Sequence, residues 1–350
     1  MRLEKRAERS VKMAIASPFI ALGLTVVSAA LIFALRGDNP FYALYVYFIE
    51  PLTALWTVEQ VLVKAAPLVL IGAGLAVAYR ANVWNIGAEG QLTAGAICAG
   101  AIPILFPTWQ SPLTLLSMLV MGIVGGMAWG AIPAYLRNRF HANEILTSLM
   151  LVYVVQLFLD WLVRGPWRDP QGFNFPKSIT FSDWQLLPYL TSGIHAGVII
   201  SLLVALALGF VMTRTLKGFE ITVTGHSPRA ARFSGFSEKH TVMFCMLLSG
   251  GLAGLAGAIE ISSVVGQLQP QISPGYGFAA IIVAFLGRLN PIGAIFAGLL
   301  LALSYIGGEA VQTALQIPDK ITRVIQGILL FYVLACDTLI LYRFTSGAKA

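Results

Sequence analysis

Apolar runs of about 20 residues recur along this chain, and each would let a helix cross roughly 30 Å of hydrocarbon. That length decides the fold class. A transmembrane barrel shows shorter segments of about ten alternating residues, and none is visible here. Composition agrees: 11% of the residues are charged, where soluble domains carry about a quarter. The mean hydropathy is +0.78. The reading is an all-α integral membrane protein, one polytopic domain over residues 1–350.

Orientation comes from the basic residues, which stay on the cytoplasmic side of membrane proteins. The net charge of +7 is clustered. Arg2, Lys5, Arg6 and Arg9 precede the first apolar run, and Arg137 and Arg139 follow the fourth. Arg214, Lys217, Arg229, Arg232 and Lys239 share one polar loop, and Arg343 and Lys349 lie at the end. Spans are therefore expected near 11–35, 60–79, 90–106, 112–136, 144–163, 196–214 and 241–265. A short or re-entrant helix is expected over 278–286, then segments at 292–305 and 321–342. The total is about ten membrane segments, some broken, with both termini cytoplasmic. The first run has no small-residue cleavage site and reads as an uncleaved span. Residues 36–59, partly aromatic, suit the membrane interface; residues 164–195 form an external loop and 214–240 a cytoplasmic one.

Enzyme chemistry finds no foothold. No lysine follows a glycine, which excludes a GxxxxGK[ST] phosphate loop. His141, His195, His226 and His240 lack metal-ligand spacing, and Cys98, Cys245 and Cys336 are scattered in apolar segments as packing residues. Ser249, in LSGG, is a packing residue by its glycine neighbours. Gly122, Gly126 and Gly130, and Gly250 and Gly254, give helices room for close approach.

Polar residues inside the apolar pattern are the candidates for function. Asn82–Gly95 reads NVWNIGAEGQLTAG between two spans. A midmembrane charge costs about 3 kcal/mol on insertion scales and faces protein or a wet cavity. Glu89 thus faces a cavity or pairs with Arg80 at the surface. Asn85, Glu89 and Gln91 either line a translocation path or cap broken helix ends, with Gly87 and Gly90 supplying special backbone angles. Asn143 and Glu144 open a span, where capping and the helix dipole explain both without a ligand. Asn85-Ile-Gly-Ala has an echo in Asn290-Pro-Ile-Gly-Ala, and paired interrupted segments point to a midplane path in transporters; Asn290 joins the path candidates on that ground, and Asn143 and Glu144 stay among them as the alternative to capping. Glu260, Glu309 and Asp319 read as ordinary charges near the outer rim.

The cytoplasmic loop carries a capped knob. Pro228 suits a first helical turn after an N-cap at Ser227, and Gly235 suits the C-terminal cap. A short helix over Pro228, Arg229, Ala230, Ala231, Arg232, Phe233, Ser234 and Gly235 then presents two arginines and an aromatic to a soluble partner.

This loop resembles the coupling segment of ABC-importer permeases in the branched-chain amino acid, ribose and nucleoside superfamily. Gly225, Ala230-Ala231-Arg232, Gly235 and Ser249–Gly257 carry that likeness. NIGAEGQ (85–91), NEILTSLMLVYV (143–154), GFAAIIVAFLGRLNPIGAIFAGLL (277–300) and the external GPWRDPQGFNFP resemble the nucleoside and simple-sugar branch. Members often carry an Asn where Val152 stands. The resemblance implies a permease subunit in a bacterial inner membrane, importing a small polar solute by alternating access. It implies no cofactor on this chain, with ATP and magnesium used by a separate ATPase subunit. A second permease subunit, alike or homologous, and an external solute-binding protein complete the expected partners. Nucleosides are the expected solute, a ribose-type sugar the alternative; an ATP-independent carrier is the rival class.

Overall fold

A computed structural model describes residues 2–5, 11–191 and 193–345. Arg6, Arg9 and Lys349, used above for orientation, lie outside them. The protein is an all-α membrane protein, with eight helices long and apolar enough to cross a membrane among the described residues. Residues Arg2–Lys5 and Tyr342–Thr345 pair as a short antiparallel ladder that brings the two ends of the chain side by side. The chain divides into two compact units, one from residues before 62 and after 299, the other from 62–299.

The smaller unit contains α1 (Val11–Arg36), α2 (Pro40–Phe48), the later part of α12 (Pro291–Leu315) and α13 (Asp319–Leu341). Residues 36–59 contain α2, whose first N–H groups are capped by Asn39, with Pro40 at the first helical position. Its Val46 and Tyr47 enter a core with Ala29 and Phe33 of α1, Val311 of α12 and Ile325 of α13. Tyr47 and Ser304 share a hydrogen bond between their hydroxyls, which keeps both polar groups satisfied inside this core. Glu309 is exposed within continuous α12 rather than on a loop, which is confined to residues 316–318. Gly307 and Gly308 do not break the helix: they fit it closely against Tyr47 and Thr322.

The larger unit begins in α3 (Leu55–Arg80) and continues through α4 (Ala88–Leu105), α5 (Pro112–Phe140) and α6 (Glu144–Arg164). After the loop of residues 164–195 come α7 (Gly197–Arg214), α8 (Leu216–His226), α9 (Pro228–Phe233) and α10 (Glu238–Glu260). A π turn (Ile261–Val265), α11 (Tyr276–Leu286) and the start of α12 complete it. Small residues explain its centre. A Cβ added to Gly126 of α5 would lie 2.1 Å from the Gly250 carbonyl oxygen of α10, and one on Gly95 of α4 would lie 2.2 Å from Gly254. Backbone therefore meets backbone among α4, α5 and α10, the packing that lipid favours where no hydrophobic drive exists between helices. The first three turns of α4 are buried on all sides, as suits a helix without a lipid-facing stripe.

The loop of residues 164–195 is clasped to the end of α10. Its Phe181 and Leu187 N–H groups donate to the carbonyls of Gly266 (2.8 Å) and Ser262 (2.6 Å), and Ser178 donates to Leu268 (2.9 Å). Buried His195 closes the loop, its Nδ1 accepting the Gly197 N–H at 3.1 Å at the start of α7. Burial lowers the pKa of this imidazole.

Candidate functional site

The NVWNIGAEGQLTAG stretch is a sharp break between α3 and α4, and its turn rests on Asn82 at φ 58°. Asparagine tolerates this left-handed conformation better than most residues. Gly87 and Gly90 do not supply unusual angles, contrary to the expectation above: neither has a positive φ. They supply space instead. A Cβ on Gly87 would strike the Ser148 carbonyl oxygen at 2.7 Å, and one on Gly90 the Val152 Cα at 2.9 Å. Val152, where the resembling permeases often have Asn, is buried against this notch.

Asn85 is the hub of a buried polar knot. Its Nδ2 donates to Gln91 Oε1 (2.7 Å) and Ser249 Oγ (2.8 Å), while Gln91 Nε2 donates back to Asn85 Oδ1 (3.0 Å). The same oxygen accepts the Gly87 N–H at 3.1 Å, and Tyr79 Oη donates to the Asn85 carbonyl at 3.0 Å. One asparagine thus ties the end of α3, the start of α4 and the middle of α10. Ser249 is a member of this knot and also donates to the Met246 carbonyl.

Glu89 bonds to a distant helix end and not to Arg80. It is 3% exposed, and its Oε2 accepts the Gly277 N–H at 2.6 Å, with a further hydrogen bond to the Ser273 side chain. The carboxylate therefore sits on the N-terminal turn of the short helix α11, where unpaired N–H groups and the helix dipole favour an anion. Ser273 holds the same turn by accepting the N–H groups of Gly275 (3.0 Å) and Tyr276 (2.8 Å). Gly277 must be glycine, because a Cβ would lie 2.2 Å from the Glu89 nitrogen.

The Asn85 and Asn290 segments share a backbone device. Asn290 Oδ1 accepts the Ile292 N–H at 3.0 Å, as Asn85 Oδ1 accepts that of Gly87, so each asparagine turns the chain two residues on into a helix. Tyr79 and Trp84 of the first break stack on Phe285 before the second, at 5.6 and 6.1 Å between centroids. Asn143 and Glu144 sit elsewhere. Asn143 caps α6 through the Ile145 and Leu146 N–H groups, and Glu144 pairs with Arg137 and accepts the Trp84 N–H.

On the loop between α7 and α10, the region from Arg214 to His240 is mostly helical: α8 packs Ile221 and Thr224 inward, and α9 stands exposed beyond it. Ser227 makes no side-chain cap, so α9 starts on Pro228 alone. Its end is closed by Gly235 at φ 81°, with Gly235 donating to the Arg232 carbonyl and Phe236 to that of Ala231. These two bonds form a Schellman cap, which requires the left-handed residue glycine provides. Ala231 alone is buried; Arg229 and Arg232 are exposed and Phe233 is 98% exposed. Arg232 pairs with Glu238 at 3.1 Å. Beside it lies a cleft of about 420 Å³, lined by Arg137, His141, Arg232, Phe236 and Lys239 among others. Asn138 at the end of α5 donates to the Lys239 carbonyl at 2.9 Å and fixes the cleft's walls.

Residues 57–334 match the permease component of the branched-chain amino acid transport system. The chain belongs to this permease family. The permease is 35% identical to a glucose ABC transporter permease of Haloferax volcanii, over 98% of its own length and 93% of that protein. A nucleoside ABC transporter permease of Lactococcus lactis is 28% identical, covering 90% of this chain and 89% of the relative. A guanosine ABC transporter permease of Bacillus subtilis is also 28% identical, at 90% and 92% coverage. The permease is a multi-pass membrane protein of the simple-sugar and nucleoside ABC importer group.

Proposed function

We propose that the permease imports a nucleoside across the plasma membrane as one of two permease subunits, driven by a separate ATPase docked on α9. The observation that carries the coupling half is the exposure of the short helix: Arg229, Arg232 and Phe233 all stand exposed on it, Phe233 at 98%. An almost fully exposed phenylalanine flanked by arginines is the composition of an interface anchor. Closure of the ATPase pair on ATP and magnesium would move α9, and α8, α10 and the bonded end of α5 would carry that movement into the bundle. An external binding protein would deliver the solute. Residues 214–240 act as the coupling element and residues 164–195 face the outside.

The nucleoside half rests on the Lactococcus and Bacillus relatives; the Haloferax relative supports a simple sugar as the competing solute. For Asn85, Glu89 and Gln91, burial and hydrogen bonds made within the protein support bracing of the path in preference to direct solute contact. Arg232→Glu combined with Phe233→Ala should abolish ATP-driven uptake while membrane insertion stays normal. Normal uptake by that variant would remove the coupling role of α9. Uptake of labelled guanosine against labelled glucose by the unaltered transporter tests the solute.

A further inference from the structure

Two glutamates are buried in apolar helices of the larger unit, and their surroundings differ. Glu89 is hydrogen-bonded to a helix N-terminus and a serine. Glu260, expected from sequence to be a rim charge, is 6% exposed at the last position of α10. Its carboxylate interacts electrostatically with Lys64 of α3. The hydroxyls just beyond it are turned away: Ser262 donates to the Ala258 carbonyl and Ser263 to that of Ile259, each at 2.6 Å.

A carboxylate at such depth is costly and persists where it serves a pathway or a partner. The backbone is also irregular at this point. The helix widens into the π turn Ile261–Val265, a local insertion common at functional sites. The external loop clasps that turn through Leu187 and Phe181, which puts Glu260 just beneath the outer covering of the bundle. An acceptor-only carboxylate and a donor-only ammonium together carry no net charge and match adjacent hydroxyls on a neutral solute.

Resting on the import reading above, we propose that Glu260, poised by Lys64, binds the vicinal hydroxyls of the transported solute in the outer part of the pathway. The ribose of a nucleoside and the ring of a simple sugar share this chemistry.

The test uses the complete transporter, with its ATPase and binding protein, in proteoliposomes supplied with ATP. Uptake of guanosine is compared with 2′,3′-dideoxyguanosine, and of glucose with 2-deoxyglucose, for wild type and Glu260→Gln. The pair that wild type carries identifies the solute class. For that pair, Glu260→Gln should lower the preference for the hydroxylated member about tenfold, the scale of one hydrogen bond to a charged group. The unchanged binding protein cancels in this ratio. Equal slowing of both members, with the ratio intact, would overturn the assignment of Glu260 and leave the import reading standing. Wild type that carries none of the four would overturn the import reading, and the inference with it. If the variant does not assemble, carbodiimide modification of Glu260 in wild type is followed by mass spectrometry. Excess transported solute should slow it several-fold, and an unchanged rate would overturn the inference.

Discussion

The buried knot around Asn85 and the exposed helix α9 are both polar interruptions of an apolar chain, and they have opposite internal economies. Four side-chain hydrogen bonds converge on Asn85, and all of them are made within the chain. On α9, Ala231 is the single residue turned inward, and Phe233 touches solvent over nearly its whole surface. The difference separates two kinds of polar signature. Residues that satisfy one another hold the bundle in shape; residues left over by the fold await something outside it. By this criterion the satisfied Asn85, Glu89 and Gln91 fit a bracing role, and the exposed Arg229 and Phe233 fit the proposed interface.

The largest stability change should come from one of the close backbone contacts in the bundle that holds the knot. Gly126→Val should cost about 3 kcal/mol or more by overpacking against the Gly250 carbonyl, read as a lower Tm of the solubilised protein. An unchanged Tm would mean that α5 and α10 are not in backbone contact. Asn85→Ala should follow at about 2 kcal/mol, since membrane hydrogen bonds average about 0.6 kcal/mol and four are lost. Altered solute preference at unchanged Tm would instead move Asn85 from the architecture to the path. Glu89→Gln keeps an acceptor for the Gly277 N–H and loses the charge at the helix terminus, so about 1 kcal/mol is expected, with solute preference intact.

The smallest expected effect concerns the clasp of residues 164–195 onto the end of α10. The lowered pKa of His195 means that the folded loop binds a proton less readily than the unfolded one. The stabilisation is complete above the ordinary histidine value of about 6.5 and is lost as pH falls below it. Protease nicking within residues 164–195 should therefore rise between about pH 8 and about pH 5, and His195→Gln should flatten the trend. A flat wild-type profile would remove His195 from the clasp.

Much of this was legible because it is local. The apolar runs give most spans to within a few residues, although α12 continues to Leu315, beyond the expected end at 305. Gly235 after PRAARFS marks the end of α9 through the one backbone region where glycine is favoured. Asn143 ahead of Glu144 announces a helix start in the same way. What stayed hidden depends on distant partners. The sequence around Glu89 offers Arg80 as its nearest cation, while the actual partner, Gly277, lies 188 residues away. Helix α8 was hidden for a related reason. GFEITVTG has β-branched residues and two glycines, a poor helical composition, yet Gly218 and Gly225 let it seat against the backbone of Val211 and Arg80. Gly87 likewise reads as a hinge in sequence and acts as a notch for Ser148 in three dimensions.

Docking through α9 is tested most directly by the amount of ATPase that stays with the permease after detergent extraction. Wild type is compared with the Arg232→Glu, Phe233→Ala double variant, and Tm is recorded on both. Surface changes alter stability by about 0.5 kcal/mol at most, and the exposed Arg232–Glu238 pair contributes no more than about 1 kcal/mol. The expected result is loss of the ATPase at a nearly unchanged Tm. Full retention of the ATPase by the double variant would contradict it.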